Sequence, residues 1–181
     1  MSSGDRGWLR WRVPSVYALS LVAFAIAHPG RTSLIAGAMI TGAGLVIRAE
    51  AAGYLHKHES LARGGPYART RNPLYLGSTL LWAGFAVATR SWVVGAMFAA
   101  YFLAFYPATI KHEEAELRAE FGAAFDQYAH EVPTFRPRLR VDAGAGPHFS
   151  LAQYMRNREY QAAIVAVLFF AVLCARAYWR S

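Results

Sequence analysis

Five apolar runs dominate this chain, at about residues 13–28, 33–52, 74–90, 91–110 and 161–179. Crossing a bilayer as a helix takes roughly twenty apolar residues. Lipid offers no water to the backbone, so a crossing segment folds as a helix or as part of a closed barrel. Runs of this length predict an all-α integral membrane protein with about five transmembrane helices. The first run is short and holds Ser15, Tyr17 and Ser20. The second carries Gly37, Ala38, Gly42 and Gly44, small residues that let helix backbones approach. The third and fourth meet at Thr89-Arg90-Ser91, a connection short enough to imply an antiparallel hairpin. The fifth ends in Tyr178 and Trp179, residue types that favour the membrane–water boundary. Arg6, Arg10 and Arg12 make the start resemble a signal peptide. No small-residue cleavage site follows, so the first run is read as a retained helix.

Charge sets the orientation. Of 181 residues, 55% are hydrophobic and 17% charged, too apolar for a soluble domain and too charged for a bare anchor. The net charge is +8, and the basic residues flank the apolar runs. That arrangement fits cytoplasmic-side membrane loops and not a nucleic-acid face. With the N-terminus inside, the outer side keeps only Arg31, Arg90, Arg176 and Arg180 of the 19 basic residues. The outer connections are too short to hold a site. Chemistry therefore falls to two inner segments, about 53–73 and 111–160, with the helix ends beside them. Cys174 is the one cysteine, which excludes an internal disulfide and a cysteine-cluster metal site. It reads as a small apolar side chain in the membrane. His56, His58 and His112 make no credible metal set and read as interfacial polar residues; no metal is expected.

The first inner segment holds GGPYARTRNPLYLG, from Gly64 to Gly77. Gly64-Gly65-Pro66 makes a turn. Pro73 suits the first turn of the third helix, with Asn72 as its N-cap. Arg71 stands beside the cap and Tyr75 one turn inside. Exposed N–H groups at a helix start plus an arginine make a site for a carboxylate or phosphate. Equally, Asn72 only caps and the arginines only meet lipid phosphates. The second segment opens KHEEAELRAEFGAAFDQYAHEVPTFRP. Leu117, Phe121, Ala124, Phe125 and Tyr128 form an apolar helical stripe. Glu116, Glu120 and Gln127 fall on the other side. Glu113 shares the apolar face, where an unpaired carboxylate is costly. It calls for Arg71, Lys57 or a cationic ligand. Glu114 pairs with Arg118 at i,i+4. Val132-Pro133 ends the helix. VDAGAGPHFS reads as a flexible linker, and about 150–160 as an amphipathic piece on the membrane. Arg48 and Glu50 close the second run. Glu50 can meet Tyr54, and Arg48 either snorkels to the surface or faces the bundle.

In order and spacing these pieces resemble the isoprenylcysteine carboxyl methyltransferase group of integral membrane enzymes. Membrane phospholipid N-methyltransferases share a related pattern. The matching elements are Gly65-Pro66-Tyr67, Arg71-Asn72-Pro73 with Tyr75 and Gly77, Glu113-Glu114, Phe121-Gly122 with Phe125 and Tyr128, and Val132-Pro133 with Phe135 and Pro137. They cover about residues 45–140. The resemblance implies methyl transfer from S-adenosylmethionine to a lipophilic acceptor, with S-adenosylhomocysteine as product. It implies a cytoplasmic-side catalytic pocket in the C-terminal half, and a bacterial inner membrane as its location. The chain then divides as a helix pair to residue 52, a methyltransferase core over 53–140, a linker and interfacial segment over 141–160, and a last membrane helix.

On this resemblance Arg71, Asn72 and the helix start with Pro73 and Leu74 hold the donor's carboxylate. Glu113 or Glu114 meets its amino group or its positive charge. Tyr67, Tyr75 and Tyr106 offer ring faces, and Pro66, Gly77 and Lys57 complete the cofactor set. The catalytic set is Arg71, Asn72, Tyr75, Glu113 and Glu131. Two departures stand out. Asn72 replaces the family's usual histidine. Glu131 stands where carboxyl-methylating members typically carry arginine, which suits an amine or uncharged acceptor. A phospholipid N-methyltransferase is the alternative enzyme. A non-catalytic membrane scaffold or carrier is the alternative of another class. Expected partners are a lipophilic small molecule or lipid and the bilayer, without nucleic acid; the sequence sets no oligomeric state.

Overall fold

The computed structural model describes residues 12–56, 59–138 and 148–179. Over these the chain forms α1 (Arg12–Ile26), α2 (Arg31–Tyr54), a 3-10 turn (Gly65–Ala68), α3 (Pro73–Thr89), α4 (Trp92–Phe121), α5 (Ala123–Glu131), α6 (Leu151–Arg156) and α7 (Tyr160–Tyr178). No strand occurs among the described residues. Helices α2, α4 and α7 are long and apolar enough to cross a membrane, and Pro14–Ile26 and Pro73–Thr89 are shorter apolar helices. The expected all-helical membrane architecture is what the chain adopts. Large apolar side chains such as Ile35, Met39, Val46, Leu103 and Leu168 point outward, as a lipid-facing surface requires. The expected linker lies mostly outside the described residues; the interfacial stretch contains α6.

Helices α2 and α3 form the spine. Gly37, Thr41 and Gly44 of α2 are buried against Gly77, Leu81, Gly84 and Ala88 of α3. A Cβ on Gly44 would lie 2.6 Å from the Gly77 carbonyl oxygen, so the two backbones touch directly. Lipid supplies no hydrophobic drive between helices, and close packing of small residues takes its place. Arg90, in the left-handed region at φ 57°, ends α3. The Phe85 and Phe169 rings, centroids 3.9 Å apart and nearly parallel, tie α7 to α3. At the same end Arg176 donates to the carbonyls of Ala25 and Ala27 at 2.8 and 2.9 Å, closing the C-terminus of α1.

One boundary differs from expectation. The fourth apolar run and the glutamate-rich helix after it are a single helix, α4, with Pro107 inside it. Its 30 residues make a rod of about 45 Å, longer than the roughly 30 Å apolar slab. Glu113 and Glu114 lie in the final turns of α4, after the apolar stretch. Gly122, at φ 52°, ends α4 in a conformation that other residues adopt only with strain. From there α5 starts, and its Phe125 and Tyr128 are buried with Val132 against Leu61, Leu117 and Phe121.

Candidate functional site

Backbone bonds lace the loop before α3 to the chain after α5. The Arg71 N–H donates to the Pro133 carbonyl at 2.9 Å and the Arg138 N–H to that of Arg69 at 3.0 Å. Between them the Thr70 hydroxyl donates to the Thr134 carbonyl at 3.1 Å. Asn72 Nδ2 donates to the same oxygen at 3.0 Å. Asn72 does stand at the N-cap of α3, but with its amide engaged there its side chain makes no cap bond. The first-turn N–H groups of α3 are thus not consumed by Asn72.

The Arg71 guanidinium sits at the centre of this lacing. Its Nε donates to Glu114 at 2.8 Å. One terminal nitrogen reaches the carbonyls of Ala129 and Val132 at 2.7 and 2.6 Å, and the other the Thr134 hydroxyl at 2.6 Å. Four of its five N–H groups are used within the protein. Ala129 and Val132 lie at the C-terminal end of α5, where a cation meets the negative end of the helix. Glu114 therefore pairs with Arg71 and not with Arg118. The Gly122 turn brings Asp126 back to Arg118, which it meets at 2.7 Å.

A cavity of about 530 Å³ opens beside this lacing. That is within the size range of small-molecule sites. Arg48, Leu55 and His56 border it from the end of α2, Tyr67 from the 3-10 turn, and Arg71 to Tyr75 from the start of α3. Tyr101, Tyr106, Glu113, Glu114, Glu116, Leu117, Glu120 and Phe121 border it from α4, and Phe125 and Tyr128 from α5. The Tyr75 hydroxyl donates to Glu113 at 2.6 Å. Glu113 is exposed at the cavity's edge, not set in an apolar face. The Tyr75 and Tyr106 rings meet edge to face at 5.0 Å. Glu116 and Glu120, read as the far side of the helix, also border this wide opening.

The Tyr128 hydroxyl donates to the Tyr67 carbonyl at 2.8 Å. Burial, first of all, pushes both phenols above the ordinary tyrosine range. Both stay protonated at neutral pH. The stability tied to them is present below the ordinary value of 10.0 and falls as the pH climbs above it. A denaturation series is expected to show no loss from these groups between about pH 7 and 9 and a decline beyond about pH 10.

Several expected site residues lie elsewhere. Gly77 faces Gly44 and Arg48 in the helix spine. Pro66 is buried, and its carbonyl accepts from the N–H groups of Arg69 and Thr70. Glu131 is outside the cavity lining, in an exposed contact with Arg63 at 3.4 Å. Lys57 lies outside the described residues. Two residues that periodicity did not select border the cavity. Arg48 holds Glu159 in a two-oxygen fork at 2.7–3.0 Å and donates to the Leu74 carbonyl and the Ser78 hydroxyl. His56 Nδ1 is 3.3 Å from the Tyr54 carbonyl. The signal for Arg48 was present: a charge inside the end of an apolar run.

Residues 32–124 match the family model described as phospholipid methyltransferase. The cobalt-zinc-cadmium resistance protein CzcN of Cupriavidus metallidurans is 32% identical over 134 residues, covering 74% of this chain and 55% of its own. The nickel-cobalt-cadmium resistance protein NccN of Alcaligenes xylosoxydans xylosoxydans is 32% identical over 140 residues, covering 72% of this chain and 64% of its own. The chain thus spans less than two thirds of the length of these curated relatives. No solved structure matches.

Proposed function

Because the chain belongs to the phospholipid methyltransferase family, we propose that it transfers a methyl group from S-adenosylmethionine to a lipophilic acceptor at the membrane surface. The observation that carries this reading is the composition of the cavity wall: Tyr75 and Tyr106 set edge to face, with Glu113 hydrogen-bonded beside them. Electron-rich rings and a carboxylate suit a cation. The donor, when bound, supplies an electrophilic methyl group on a positively charged sulfur.

The chain's own residues do the rest. Tyr75 fixes the Glu113 carboxylate for the donor's ammonium or positive charge. The start of α3, which no side chain caps, faces a carboxylate with N–H groups. Arg71 holds the two inner segments in register, its charge already matched by Glu114. Leu117, Phe121, Phe125 and Tyr128 keep water from the reacting groups, and methyl transfer depends on such exclusion and on alignment. Both arginines described in the lining are engaged by protein carboxylates. This favours an amine-bearing or neutral lipid over a free carboxylate as acceptor. The excess of basic residues in the loops around it favours a cytoplasmic-side cavity. The relatives' names suggest where to look for the product: lipids of cells grown with and without cobalt, zinc or cadmium.

The test is equilibrium binding of S-adenosylmethionine to the protein in lipid nanodiscs. Saturable binding is expected. Glu113→Ala removes a charge-assisted contact of about 1.5–3 kcal/mol and should weaken binding roughly ten- to a hundredfold. Tyr75→Phe should weaken it less, since the carboxylate remains. No saturation at millimolar ligand, in protein shown to be folded, rejects the reading and favours a scaffold.

A further inference from the structure

We propose that residues 148–159 form a strap that sets the α2 side of the cavity, with Gln153, Asn157 and Glu159 as its positioning residues. The strap lies outside the residues that match the family model. Its contacts converge on one place, the end of α2. A helix C-terminus leaves carbonyl groups without intrahelical partners. Here the partners come from about a hundred residues away. The Ser150 N–H donates to the Gly53 carbonyl at 3.1 Å. Asn157 Nδ2 donates to Ala52 and Leu55 at 2.9 Å, and Gln153 Nε2 to Leu55 at 2.8 Å. These bonds fix the direction in which the chain leaves α2. Leu55 and His56, the next residues, are cavity wall.

Two further contacts carry the same influence. Phe149 lies against buried Gly53, where a Cβ would overlap the ring. The same ring meets Tyr54 edge to face at 6.5 Å. Tyr54 in turn presses on Gly65, whose Cβ would fall 2.6 Å from the Tyr54 ring and whose φ is +54°. Gly65 opens the turn that presents Tyr67 to the cavity. Glu159 forks Arg48 from behind, and Arg48 reaches across to the first turns of α3. The strap itself contributes nothing to the described lining. It acts by holding groups that do.

The test needs no ligand. His56→Cys in a Cys174→Ser background places one thiol in the cavity wall of the full chain in nanodiscs. A membrane-impermeant maleimide reports how fast that wall opens. With Gln153→Ala and Asn157→Ala together the labelling rate is expected to rise at least about tenfold while the helix content stays. Glu159→Gln, which keeps the fork's shape and removes its charge, should give a smaller rise, and Glu159→Asp should recover part of it. Should the double variant fail to fold, the two Glu159 variants decide. An unchanged or slower rate overturns the proposal, even if thermal stability falls. A second arm, resting on the methyl-transfer reading, measures S-adenosylhomocysteine affinity in the same strap variants with His56 intact. Weaker binding at unchanged helix content supports a positioning role. If the parent protein binds no S-adenosylhomocysteine, the methyl-transfer reading fails and the labelling arm alone judges the strap.

Discussion

Arg71→Ala is expected to lower folding stability by about 3–5 kcal/mol, the range for removing one partner of a buried ion pair. Exposed pairs are worth at most about 1 kcal/mol, but this one is not exposed: the Arg71 and Glu114 side chains are 12% and 21% accessible. The change strands more than a carboxylate. It leaves the carbonyls of Ala129 and Val132 and the Thr134 hydroxyl without their donor. Donor binding should be lost with it, because Asn72 and the start of α3 are held in place by the same lacing. Arg71→Lys should recover little. An ammonium is a compact charge with no planar fork, and cannot reach Glu114, α5 and Thr134 at once. Thermal unfolding beside ligand binding checks both parts. Full stability with binding lost would show instead that the guanidinium works on the ligand.

Gly84→Leu is expected to be as damaging through sterics alone. A Cβ on Gly84 would lie 2.6 Å from both the Gly37 carbonyl oxygen and the Thr41 nitrogen. Those are backbone atoms and cannot rotate aside. Overpacking a core usually costs about 1–3 kcal/mol because side chains adjust; here α2 and α3 must separate, and the cost should exceed that range. Arg48 on one helix and Asn72 and Tyr75 on the other would part, so ligand affinity should fall with stability. Gly42→Ala is the control. Nothing lies within 4 Å of its Cβ position, and a helical Gly→Ala change there should be neutral or stabilising by up to about 1 kcal/mol. Unfolding in nanodiscs, followed by tryptophan fluorescence, separates the two. Equal midpoints for both variants would refute direct backbone contact as the basis of the spine.

Much of the frame was legible from local pattern. The length of the apolar runs predicted the helices, since lipid leaves the backbone few alternatives. Gly37 and Gly44 announced a close helix contact, and Asn72-Pro73 marked where α3 begins. The five motif segments were legible as well, but not what joins them. Helical spacing identifies neighbours three and four residues apart, which is why Glu114 was matched to Arg118. The choice between Arg118 and Arg71 belonged to the path of the chain: the turn at Gly122 gave Arg118 to Asp126 and left Glu114 facing the loop. In the same way Asn72 capped on paper and instead bonds Thr134, 62 residues away. Arg48 found Glu159 across 111 residues. His56 took its place in the wall, and Glu131 stayed outside it. Local pattern was enough to say that the apolar runs are helices and that the polar groups gather in two segments, because both follow from composition and periodicity within one stretch of chain; it misjudged where α4 ends and which way Glu113 faces. Which charges pair and which groups border the cavity came from the folded path of the chain, because a buried charge takes whichever partner that path brings within reach, and that is a non-local property.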